Sequence, residues 1–157
     1  MLRISRAILA FSAAVSATFL LASPHAPSGG AAEVEAAWMK AMRANDLDAV
    51  LACYAPDAVM WVSGAPEADG IAAIRAEYAG MLKENTVKDV AVSGGQTRVS
   101  GNVGAGWGRY TLTLAPKGGG PDVVIHGRFT EVVEKRNGKW LYVADHASDD
   151  PSAAPAR

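Results

Sequence analysis

From Asn85 onward the 157-residue chain becomes a series of runs rich in Val, Thr, Tyr and Trp, each closed by turn residues. The runs cover residues 86–93, 96–100, 102–114, 122–135 and 139–147, parted by Gly94-Gly95, Gly101-Asn102, Lys117-Gly-Gly-Gly-Pro121 and Asn137-Gly138. β-Branched and aromatic side chains suit a pleated surface, and Asn-Gly supplies the two positive φ angles of a tight hairpin. This half of the chain is therefore predicted to form an antiparallel meander. The glycines of 117–121 read as a hairpin loop, since no helix follows whose N-terminus could hold a phosphate.

The residues before Asn85 carry the other periodicity. Val34, Trp38, Ala41 and Met42 share one face of a helix predicted over 33–44. Asn45-Asp46 interrupts it and caps a second, short helix whose stripe is Leu47, Val50, Leu51 and Tyr54. Pro56-Asp57 ends that helix, and residues 58–62 read as a strand. A third helix, 71–83, has the stripe Ile71, Ile74, Tyr78, Met81 and Leu82, with Asp69 as its cap. Helices first and a meander afterwards define an α+β fold with the helices on one sheet face.

The first 22 residues stand apart. Arg3 and Arg6 precede an uncharged run from Ala7 to Ala22, the pattern of a secretory signal peptide and too short and Ala-rich for a permanent span. Cleavage is expected after Ala22, or as late as Ala31 or Ala32, with 23–32 a flexible spacer, 33–148 the domain and 149–157 a frayed tail. The protein is thus expected to be periplasmic or secreted, without a membrane anchor once the signal is removed. Loss of Arg3 and Arg6 from 15 basic residues leaves 13 against 16 acidic ones, a formal charge of −3. So small a charge gives no electrostatic case for nucleic acid. A lone cysteine, Cys53, excludes an intramolecular disulfide and reads as a small buried apolar residue.

Three segments resemble one superfamily when read in order. Asn45-Asp-Leu-Asp-Ala-Val-Leu-Ala-Cys-Tyr54-Ala-Pro-Asp57-Ala-Val59 looks like the helix-to-strand signature of nuclear transport factor 2-like proteins. Gly70-Ile-Ala-Ala-Ile74-Arg, leading to Tyr78, resembles their third helix. Gly127-Arg-Phe-Thr130-Glu-Val-Val-Glu, then Asn137-Gly-Lys-Trp140 and Asp145-His-Ala-Ser148, is similar to the closing hairpin of SnoaL-like and DUF4440 (ketosteroid isomerase-like) members. The resemblance implies a cone-shaped fold in which a curved sheet wraps three helices around a cavity for a small hydrophobic molecule. Because such folds host many chemistries, it implies no particular reaction.

Aligned through Tyr54-Ala-Pro-Asp57, Val62 falls where the isomerase of this superfamily has its base. Trp38 falls at the oxyanion Tyr and Thr130 at the protonated acid, so no ketosteroid isomerase activity is expected. Strand parity from Thr130 turns His126, Arg128 and Val132 inward, with Val143, Asp145 and Ala147 on the partner strand. The expected cavity residues are accordingly Asp145 and His126 as catalytic candidates, with Arg128, Thr130, Tyr110, Val62, Met60, Trp38 and Val132 as ligand contacts. Asp145 would act as a base, His126 or Tyr110 as an acid, and Arg128 would pair with Asp145 or steady an anionic intermediate. An Arg128–Asp145 pair serving only the fold is the competing expectation.

His146 follows Asp145 and faces away from it, which argues against a metal site from His126, Asp145 and His146; no metal or other cofactor is expected. Trp140 and Tyr142 are expected beside His146 on the outer sheet face, as a homodimer contact. Three functions follow as expectations. They are a small-molecule binder without chemistry, an acid/base isomerase, cyclase or hydrolase-like enzyme for a small carbonyl or epoxide, and a homodimeric interaction domain without ligand.

Overall fold

The computed structural model describes residues 29–151, so the signal-like segment, residues 23–28 and residues 152–157 lie outside the described residues. The chain opens with helix α1 (Ala31–Ala44), short helix α2 (Leu47–Leu51) and strand β1 (Tyr54–Val62). A two-residue strand β2 (Ala68–Asp69) and helix α3 (Gly70–Glu84) follow, then the long strands β3 (Asn85–Ser100), β4 (Val103–Pro116), β5 (Val123–Arg136) and β6 (Lys139–Asp149). They form one six-stranded sheet in the order β2-β1-β6-β5-β4-β3, antiparallel except where β1 joins β6. This is the α+β arrangement expected, with the helices held on the concave face.

Asn45 joins the helical layer to the sheet. It ends α1 in a left-handed conformation, φ 54°, which asparagine tolerates better than most residues. From there its amide pairs both ways with β3, donating to Val87 O at 3.0 Å and accepting from Val87 N at 2.7 Å. Asp46 caps α2 by accepting from Ala49 N at 3.0 Å. Asp69, by contrast, precedes α3 without a capping side-chain bond, contrary to expectation.

Three boundaries differ from those read in the sequence. The helix through Leu47 stops at Leu51, and Tyr54 begins a strand instead, pairing in parallel with Tyr142. Pro56 is accommodated there because the β1–β6 register slips between Tyr54 and Val59, a stretch where its missing N–H forfeits no ladder bond. The Gly94-Gly95 turn is a bulge: β3 runs straight through it, with a register shift between Ser93 and Gln96. At the chain's end Asp149 is still in β6. Asp150 then docks its N–H on His126 O at 3.0 Å and buries its carboxylate beneath Arg109 (3.0 Å) and Arg128 (3.5 Å), so the chain is not frayed there.

Asn137 and Gly138 turn β5 into β6 with φ of 52° and 82°, both positive as a type I′ hairpin demands. Past this turn the pairing is regular until Val132↔Ala144 and Val133↔Tyr142, where β6 carries one extra residue, Val143. A bulge of one residue reverses side-chain parity. Trp140 and Tyr142 therefore point inward before it, and Asp145 and Ala147 after it. The sequence placed Trp140 and Tyr142 on the outer face because an unbroken alternation was assumed; both are buried, at 7% and 2% exposure. Tyr142 packs against Tyr54, ring centroids 5.0 Å apart, in a core that also includes Met42, Val50, Ile74, Val90 and Val133.

Candidate functional site

On β5 the odd-numbered residues face the helices. Gly127, Glu131 and Val133 are buried and Ile125 and Phe129 partly so, whereas His126, Arg128, Thr130 and Val132 are exposed on the convex face. Four expected cavity residues are thereby corrected. His126 shares a hydrogen bond with Thr111 Oγ1 at 3.2 Å, Thr130 faces His146 at 3.5 Å, and Val132 is 38% exposed. Arg128 pairs with Asp150, so no Arg128–Asp145 pair forms. The parity taken from Thr130 was off by one; the simple alternation Ile125, Phe129, Val133 against His126, Arg128, Thr130 carried the right answer in the sequence.

Between helices and sheet lies a cavity of about 260 Å³. Asp145, Tyr110, Val62, Met60 and Trp38 stand in its wall, joined by residues the sequence did not nominate: Glu35 and Met42 from α1, Glu77, Tyr78 and Met81 from α3, Val92 from β3, Leu112 from β4, Phe129 and Glu131 from β5, and Tyr142 and Ala147 from β6. Val62 and Glu77 are exposed and mark its mouth. Most of the wall is apolar; Glu35 and Glu77 enter it from the helices, and on β5 and β6 Glu131 and Asp145 are direct cross-strand partners.

Asp145 terminates a chain of hydrogen bonds drawn from three elements. Trp38 Nε1 donates to the Tyr78 hydroxyl at 2.9 Å, the Tyr78 and Tyr54 hydroxyls are 2.7 Å apart, and Tyr54 donates to Asp145 Oδ2 at 2.6 Å. An indole N–H only donates and an ionised carboxylate only accepts, so the relay runs one way, from Trp38 to Asp145. Burial pushes the Asp145 carboxyl above its usual range, while Tyr54 and the nearby His146 pull it back. The same burial and the Asp145 charge raise Tyr54 well above an ordinary phenol. Tyr54 therefore stays protonated and keeps donating.

Glu131 is in the opposite condition. Only 5% exposed, it is pushed up to about 8, first by burial and then by the charges of Asp145 and Glu35, with a hydrogen bond to Tyr142 pulling the other way. Its Oε1 has no hydrogen-bond partner. Gly106, across the ladder, leaves the space it fills; a Cβ there would come within 2.5 Å of Oε1. Burial thus raises both carboxyls, Glu131 to about 8, while Tyr54 donates to Asp145 and favours its charged form. Titratable groups perturbed by burial and set side by side in a cavity are candidates for acid/base chemistry.

The departure inferred at Thr130 does not stand in this light. Thr130 faces outward, and its inward neighbour is a carboxylic acid. Val62 and Trp38 do line the cavity. Arg128 cannot steady an anionic intermediate in the cavity, because the carboxyls Asp145 and Glu131 line it and Arg128 lies outside it. Among the described residues no group of His, Cys, Asp and Glu could hold a metal, and no helix is long and apolar enough to cross a membrane.

A curved sheet closing a cone over three helices, with two carboxyls side by side in the cavity between them, defines a domain of the nuclear transport factor 2-like superfamily. The profile of the SnoaL-like domain matches residues 36–143, and the chain belongs to that family. A candidate calcium/calmodulin-dependent protein kinase II association domain from Xanthomonas campestris is 27% identical at a TM-score of 0.68, over 81% of this chain and 93% of that one. A ketosteroid isomerase-like protein from Erwinia carotovora atroseptica is 20% identical at 0.66, over 75% and 92%. A candidate scytalone dehydratase from Novosphingobium aromaticivorans is 12% identical at 0.70, over 76% and 80%. The last two share the fold alone. No curated protein matches the sequence.

The elevated Glu131 value has a consequence for stability. An unfolded glutamate ionises near 4.5, whereas the folded one holds its proton to about 8. Between these values the native state binds more protons, so its stability falls as pH rises, by roughly 1.4 kcal/mol per pH unit from this group. Glu131→Gln should remove that slope. Urea denaturation of both proteins at pH 5, 6, 7 and 8 checks it, and parallel pH profiles would refute the assignment.

Proposed function

We propose that this protein binds a small, mostly apolar molecule in the cone cavity and anchors one polar group of it at Asp145 and Glu131. The observation that carries this reading is the contrast within one wall: Met42, Met60, Met81, Leu112 and Phe129 surround the ligand's body, and the paired carboxyls close one end. Val92→Trp, which fills the cavity from the sheet edge, should abolish the quenching of Trp fluorescence by hydrophobic ligands while leaving the thermal melt cooperative. Undiminished binding by that variant would place the ligand elsewhere.

A second reading, acid/base conversion of the bound molecule, is favoured by the one-way relay into Asp145. With Asp145 as base and Glu131 as acid, Asp145→Asn should keep binding and lose turnover by on the order of a hundredfold or more. Equal turnover by Asp145→Asn on carbonyl and epoxide substrates would exclude Asp145 as the base. The isomerase-like neighbour in Erwinia makes proton transfer a natural chemistry to screen.

The convex face supports a homodimer on different residues from those first expected. Trp61, His146, Thr130 and Trp107 lie in one row across β1, β6, β5 and β4, with Val132 beside them. Trp61 is 39% exposed and Val132 38%. A second copy seated there would cover this surface. Sedimentation should show a dimer at micromolar concentration that Val132→Arg converts to monomer; a wild-type monomer throughout would end the idea.

Export remains the reading for residues 1–22. Ala31 is wholly buried in α1, which favours cleavage after Ala22 over cleavage at Ala31 or Ala32. The mature periplasmic or secreted protein should then begin at Ser23 by intact mass, and a cytoplasmic full-length chain would contradict export.

A further inference from the structure

Arg109 on β4 and Arg128 on β5 are direct cross-strand partners on the convex face. Like charges set opposite each other on one side of a sheet repel and weaken the pairing. Among the described residues a single acid pairs with them: Asp150 meets Arg109 Nε at 3.0 Å and Arg128 Nε at 3.5 Å. Arg43, Arg75 and Arg136, by contrast, each pair with an acid that no other arginine shares. Two positive charges against one negative leave one positive charge in excess.

Donor capacity is in excess as well. Two guanidiniums carry about ten N–H groups, and one carboxylate has about four acceptor positions. The Asp150 side chain is only 4% exposed, whereas those of Arg109 and Arg128 are 61% and 50% exposed. The buried acid thus holds both forks from beneath while their outer edges meet solvent. The ladder continues to Ser93 on β3, beside Arg109, and to Ser148 on β6, beside Arg128. Two cations therefore stand between two hydroxyl-bearing residues in one row, with Thr111 and His126 paired in the next. A carboxylate has one planar pair of oxygens, which a single fork can take. A tetrahedral oxyanion presents separate oxygens to two forks at once, and phosphate is the group that such arginines bind bidentately.

We propose that Arg109 and Arg128 form a binding site for a phosphate group, carried by inorganic phosphate or by a small phosphomonoester. The anion lies across β4 and β5, supplies the charge that Asp150 alone does not, and has Ser93 and Ser148 at its flanks. The sheet separates this site from the cavity. Its row is the neighbour of the one offered above to a second copy, so the inference stands apart from both of those readings.

Amide shifts of the isotope-labelled protein test it. Inorganic phosphate, phenyl phosphate and acetate would each be titrated in, with sodium chloride holding the ionic strength constant. A phosphate should shift the amides of the row from Ser148 to Ser93 saturably, with acetate weaker by roughly fivefold or more. Arg128→Gln leaves Arg109 on Asp150 and should weaken phosphate roughly tenfold. Arg109→Gln leaves Arg128 there, should do the same, and serves if the first variant does not fold. Arg75→Gln on α3 changes the net charge equally and should stay within about twofold of wild type. Saturation by both phosphates assigns the site to the group itself; saturation by one alone assigns it to the free ion or to the monoester. The proposal is overturned by the absence of saturable shifts in that row, by acetate binding as tightly as phosphate, or by equal losses in Arg75→Gln and Arg128→Gln.

Discussion

A long meander folded over three helices can bury only one face, and the extra residue at Val143 decides what the last strand contributes to it. Without that residue, β6 would send either Trp140 and Tyr142 or Asp145 and Ala147 inward, but not both pairs. With it, the strand fills the core near the Asn137-Gly138 hairpin and supplies a carboxylate to the cavity further along. The cost is one unpaired position in the ladder. In return Tyr142 packs on Tyr54, and Tyr54 in turn is held where its hydroxyl meets Asp145.

The cavity's chemistry follows from that placement. Asp145 and Glu131 face each other from adjacent strands, yet their surroundings treat them differently. Asp145 receives the end of a donor chain that begins at Trp38 on α1 and passes through α3 and β1. Glu131 receives little beyond Tyr142 and is left with a free oxygen. Low dielectric surroundings magnify that difference, because an unshared charge there is costly and a shared one is not. Arg128, which could have neutralised the pair, is held on the opposite face by Asp150.

The convex face has its own organisation, and it differs from the one the sequence suggested. Trp140 and Tyr142 are absent from it. Instead Trp61 and Trp107 flank His146 and Thr130 in a row spanning four strands. The two faces of β5 are thus divided into a polar and histidine-bearing outer side and an inner side that is apolar apart from Glu131.

Much of this was legible before any coordinates. The 3.6-residue stripes of the helices, the turn residues between strands and the Asn-Gly hairpin are local signals, and local signals determine element type and order. The SnoaL-like signature extended them to a cone with a cavity, and Asp145, Tyr110, Met60, Val62 and Trp38 are indeed in its wall. Parity, however, depends on register, and register on pairing between distant strands. No run of residues around Val143 announces a bulge, so Trp140 and Tyr142 were assigned to the wrong face. Glu131 was missed because a carboxylate within an alternating strand reads as solvent-facing by default. The sequence by itself determined an α+β chain with its helices before its sheet; only the tertiary structure decided which carboxyls the sheet turns inward and which arginine it turns out.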